Sequence, residues 1–90
     1  MARLFWAPQA IEDMRRVPAR QARRVDARIE LLAEFPFLGS AMEAPYDRFR
    51  QLSVGKFRVI YEVAGDDVRI AYIRHGARQL GLRVVLPDED

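Results

Sequence analysis

The stretch Arg48-Phe49-Arg50-Gln51-Leu52-Ser53-Val54-Gly55-Lys56-Phe57-Arg58-Val59-Ile60-Tyr61-Glu62-Val63 has an apolar period of two. In its second half Phe57, Val59, Tyr61 and Val63 point one way, and Lys56, Arg58, Ile60 and Glu62 the other. That is a strand with two unlike faces. Gly55 marks a turn between two strands. Ala64-Gly65-Asp66-Asp67 marks a hairpin turn, with Gly65 free to take positive φ. Val68 to His75 reads as the last long strand. Arginine is expensive to bury and builds a poor core. Several arginines on one small sheet therefore predict a surface that meets an anion.

Upstream of this meander the period changes to that of a helix. Arg3 to Trp6 reads as a short first strand, with Leu4 and Trp6 on one face, and Ala7-Pro8 opens a helix. Ala10, Ile11, Met14 and Val17 fall on one side of that helix. Pro18 interrupts it and starts a second one, whose buried stripe is Ala22, Val25, Ile29 and Leu32. Arg20, Arg24 and Arg28 form another stripe, and Asp26, Glu30 and Glu34 a third. Acids follow bases along this helix, the reverse of what its dipole favours, so this surface is read as solvated and facing a partner. Phe35-Pro36 ends the helix, Gly39 turns the chain, and residues 37–47 connect to the sheet. The expected order is β-α-α-β-β-β. This is an α+β fold with a helical hairpin packed on one face of an antiparallel sheet. One domain is expected over 1–83, followed by an acidic tail over 84–90.

The charge is uneven along the chain. Residues 1–47 balance seven Arg against seven acids, whereas residues 48–83 carry seven Arg and Lys56 against Glu62, Asp66 and Asp67, a net of +5. Fourteen of the fifteen basic residues are Arg, whose planar fork matches phosphate or carboxylate. The absence of cysteine excludes disulfides and thiolate metal sites, and a single histidine does not build a zinc site. No Gly-rich phosphate loop is present, and no cofactor or metal is expected. The first eight residues meet Pro8 and then Glu12-Asp13, too short an apolar run for a membrane span of about 20 residues. The expectation is a soluble cytoplasmic protein with no membrane partner. Glu12-Asp13 and Asp66-Asp67 are neighbouring carboxylates best read as solvated, and Trp6 as a core or sheet-edge residue.

The basic strand, the run from Val54 to Val63 and the segment Val68-Arg69-Ile70-Ala71-Tyr72-Ile73-Arg74-His75-Gly76-Ala77-Arg78 together resemble the RelE/ParE toxins of type II toxin–antitoxin systems. The helical hairpin bearing Pro18 and the Phe35-Pro36 break before a glycine match as well. The resemblance spans about residues 2–80. It implies one of two activities: cleavage of mRNA in the ribosomal A site, as in RelE-type members, or poisoning of DNA gyrase without nuclease chemistry, as in ParE-type members. It implies a cognate antitoxin in either case. For a metal-independent endoribonuclease it would place Arg58 on the scissile phosphate, Arg78 on the developing negative charge, and Arg50 near the position of the family's first-strand lysine. Arginine stays protonated, so it can hold such charge but serves poorly as a base.

The chain departs from the nuclease pattern after Arg78. Nucleases carry a tyrosine, histidine or glutamate there to activate the 2′-hydroxyl, and Gln79-Leu80-Gly81-Leu82-Arg83-Val84-Val85 offers none. A second basic residue expected on the first strand of the meander is replaced by Gln51 or Leu52. His75 is the only histidine; it is a candidate general acid–base group and, as the simpler reading, a hydrogen-bonding residue at a strand end. Ribosome with mRNA, or gyrase, both remain open as targets, beside a third reading as a degenerate member that only binds its antitoxin.

Overall fold

Among residues 1–76, which the computed structural model describes, the chain forms β1 (Arg3–Trp6), α1 (Pro8–Arg15), α2 (Ala19–Leu31), β2 (Ser40–Ala41), β3 (Arg50–Val54), β4 (Phe57–Ala64) and β5 (Asp67–His75). Arg78, the segment 79–83 and the tail at 84–90 lie outside the described residues. The strands join in the order β1-β5-β4-β3-β2. The meander from β3 to β5 is antiparallel as expected, but β1 pairs parallel to β5, so the sheet is mixed. The αα hairpin between β1 and the meander carries the chain back to start in the same direction. Gly55 and Gly65 sit at φ 60° in the two hairpin turns, where a residue with a Cβ would be strained.

The helices cover one face of the sheet. Val25, Ile29 and Leu32 of the α2 segment, with Ala10 and Val17, pack on Leu52, Val54, Val59, Tyr61, Val68, Ile70 and Ile73. Each large aliphatic side chain buried there contributes roughly 1.5–3 kcal/mol relative to exposure. On β5 the alternation slips. Ile60 pairs with Tyr72 and Tyr61 with Ile70, leaving Ala71 unpaired as a bulge. Val68, Ile70 and Ile73 therefore all reach the helices, while Ala71 and Tyr72 turn to the other face. There they meet Phe49 and Ile60 in a second apolar cluster, flanked by Met42 and Tyr46.

The helix α1 departs from its expected face. Ile11 is 46% exposed, and Asp13, expected in water, is 6% exposed. The reason lies in the sheet. β1 ends at Trp6 opposite Ile70, so the rest of that β5 edge has no strand beside it. α1 lies there instead, and Asp13 Oδ2 accepts the Ile73 amide at 2.9 Å and the Arg74 guanidinium at 2.6 Å. Gln9 Nε2 donates to the other carboxylate oxygen at 2.9 Å. A carboxylate there stands in for the missing strand, satisfying a buried donor that would otherwise cost about 1–3 kcal/mol.

Candidate functional site

Strand parity decides which arginines share a face. Arg58 stands opposite Ser53 on β3 and Arg74 on β5, all directed away from the helices. Arg58 Nη1 donates to Gln51 Oε1 at 2.8 Å, its sole polar contact among the described residues. With Gln51, Ser53, Leu38 and Ser40 it lines a shallow depression of about 360 Å³. Gly76 lies close against that arginine. Its amide donates to the Lys56 carbonyl at 2.6 Å, and a Cβ on it would lie 3.0 Å from Arg58 Cγ and Nε. A side chain at position 76 would need the Arg58 stem to give by a few tenths of an ångström.

Arg74 starts on the same face but bends around the unpaired edge of β5 to Asp13, passing over the Tyr72 ring at 4.9 Å from its centroid. The Tyr72 ring also meets Phe49, centroid to centroid at 6.5 Å. This face thus carries Arg58 exposed at one end and a buried apolar cluster of Phe49, Ile60 and Tyr72 at the other.

Arg50 and His75 lie on the other face. Arg50 shares parity with Leu52 and pairs with Tyr61. Its guanidinium donates to the carbonyls of Gly39 at 2.5 Å and Phe37 at 3.3 Å and stacks 5.0 Å from the centre of the Phe37 ring. The Tyr61 hydroxyl fixes the same loop, donating to the Pro36 carbonyl and accepting the Gly39 amide, both at 2.9 Å. His75 follows Ile73 on the helix-covered side, where its ring meets Phe57 edge-on with centroids 5.2 Å apart. The structure therefore separates Arg58 from both Arg50 and His75, and Arg78 lies outside the described residues. Ser53 is the neighbour the sequence reading missed. The two-residue turn at Gly55, counted back from Arg58, places Ser53 directly across from it.

Residues 4–80 match the family model of the ParE toxin of the type II toxin–antitoxin system parDE. The chain belongs to the ParE toxin family. No curated protein matches the sequence at significance. Solved structures share the fold at low identity. The RelBE2 toxin–antitoxin complex of Mycobacterium tuberculosis superimposes with a TM-score of 0.75 at 18% identity, over 86% of this chain and 93% of that one. A chromosomal ParDE system of P. aeruginosa gives 0.71 at 16%, over 83% and 96%. The isolated E. coli RelE toxin gives 0.75 at 13%, over 88% of each chain. At these identities the likeness is one of fold.

Proposed function

We propose that this ParE-family chain is the toxin of a type II toxin–antitoxin pair and inhibits DNA gyrase by binding, without cleaving RNA. The observation that carries this is the surroundings of Arg58. Among the described residues, its polar neighbours on the open face are Gln51, Ser53 and Ser40, with Arg74 across the strand pair, and none of these residue types is suited to proton transfer near neutrality. The lone histidine stands on the opposite face, against Phe57. Tyr72, on the face of Arg58, is buried under Phe49 and Arg74. An exposed arginine on an open face is suited to docking on a protein surface, where Arg is among the residues that supply most of the binding energy. Toxin–antitoxin assemblies among the similar structures support a cognate antitoxin as the second partner.

The test is expression of the chain without antitoxin, with gyrase-linked DNA breaks and mRNA 5′ ends followed in the same cells. The proposal expects stalled gyrase–DNA complexes and uncut message. Codon-spaced cuts in translated message that vanish in Arg58→Ala would establish the nuclease instead. Absence of any growth defect would leave a chain that only binds its antitoxin.

A further inference from the structure

The α2 helix carries a row of arginines with no acidic neighbour on its flank. Arg20, Arg24 and Arg28 are exposed and follow one another about 6 Å apart along the axis. None of the helical neighbours three or four positions away from them is acidic: they are Arg23, Gln21, Ala27, Val25, Leu31, Leu32 and the arginines themselves. Asp26, Glu30 and Glu34 occupy the other flank. None of the three arginines makes an ion pair among the described residues. Like charges at this spacing destabilise a helix. Arg20 also stands in the first turn of α2, where the macrodipole disfavours a cation. Two local rules are broken together, which is expected where a surface has a ligand.

A second observation lies beside the same helix end. A cleft of about 440 Å³ opens between the α1–α2 corner and the ends of β4 and β5. Arg16 and Gln21 line it from the helices, and Lys56 and His75 from the strands, over Val17 and Phe57. The Arg16 guanidinium and the Lys56 ammonium have no polar partner among the described residues. The acid in the wall, Asp13, is already engaged by Ile73, Arg74 and Gln9.

We infer that the cleft and the arginine flank of α2 together bind the sugar–phosphate backbone of a nucleic acid. A phosphate sits in the cleft at Arg16 and Lys56, and the phosphates that follow lie along Arg20 and Arg24. Guanidinium forks at regular steps suit successive phosphates. An acidic amphipathic peptide would need an apolar stripe beside the arginines, and that begins only at Leu31 and Phe35, beyond Arg28. This site is on the helix side of the sheet, away from Arg58. It rests on charge placement alone, so gyrase-free binding tests it separately from the proposed target.

The test is fluorescence anisotropy with the full chain, a labelled DNA duplex of about 20 base pairs and a single-stranded RNA of equal charge. Four phosphate contacts predict about a 150-fold loss of duplex affinity between about 50 and about 200 mM salt, falling to about twelvefold in R20Q/R24Q. K56Q alone should lower the logarithmic salt slope by about one, while Arg3→Gln, at a remote ion pair, should leave it unchanged. Tighter duplex than RNA binding would assign DNA as the source of the phosphates, and the reverse would assign RNA. The inference is overturned if neither probe binds, if R20Q/R24Q and K56Q both keep the wild-type slope, or if a polyglutamate peptide of equal charge binds as tightly as the duplex.

Discussion

Arg74 of β5 and Asp13 of α1 form the contact that closes the sheet, with Nη1 2.6 Å from Oδ2. The carboxylate side chain is 5% exposed and the arginine 26%. The same oxygen holds the Ile73 amide, so one residue of α1 anchors both the backbone and a side chain of β5. Removing it leaves a buried amide without its acceptor and takes the carboxylate from Arg74. Asp13→Ala should lower stability by about 3 kcal/mol, and Asp13→Asn, which keeps an acceptor for the amide, by about half of that. Urea denaturation of the purified variants measures both. A loss under about 1 kcal/mol for the alanine variant would mean that the edge is held by something else.

Arg50 and Arg58 should separate cleanly into scaffold and surface. Arg50→Lys loses the fork that spans two carbonyls and the stacking on Phe37, and should cost about 1–2 kcal/mol of stability. Arg58→Ala removes an exposed side chain with a single hydrogen bond. It should change stability by less than about 0.5 kcal/mol while relieving growth inhibition. Thermal melts beside plating efficiency under induction read the two effects independently.

The loop before β3 hangs on Tyr61. Its hydroxyl serves Pro36 and Gly39 from a fully buried ring. Tyr61→Phe leaves those two backbone groups unpaired and should cost about 1–3 kcal/mol. Gly39→Ala should act on the same loop, because its Cβ would run into the Gln51 carbonyl oxygen and lie 2.8 Å from the Tyr61 hydroxyl. Hydrogen exchange at residues 36–41 should rise in both variants. Unchanged protection there would contradict the role given to the hydroxyl.

Relieving the repulsion along α2 should stabilise the fold. Arg24→Gln removes two like-charge contacts at four-residue spacing, worth about 0.2–0.5 kcal/mol each. The gain should shrink as salt is raised, since exposed charges are screened within about 8 Å at physiological ionic strength. A melting temperature that falls in low salt would contradict the unpaired state of these arginines.

The faces of β4, the two glycine turns and the buried stripe of α2 were legible because each depends on residues near one another in sequence. Val25, Ile29 and Leu32 are all buried as their spacing predicts. What escaped depends on partners far along the chain. Nothing in Arg3 to Trp6 says that its neighbour is β5 and that the pairing is parallel. Asp13 looks solvated in a helix whose apolar spacing favours Ile11; only the bare edge of β5 makes burial of a carboxylate favourable. The bulge at Ala71 shifts the strand by one residue, which is how Ile70 and Ile73 come to share a face. The resemblance groups Arg50 with Arg58, whereas its parity with Leu52 puts it on the other side.

The central claim is that the open face around Arg58 inhibits by binding. Titration of the purified chain into a gyrase supercoiling assay tests this most directly, with Arg58→Ala in parallel. The account predicts that the wild-type chain blocks supercoiling and accumulates cleaved plasmid, and that Arg58→Ala does neither. Full supercoiling at saturating wild-type chain, with ribosome-bound message cut in a matched reaction, would contradict it.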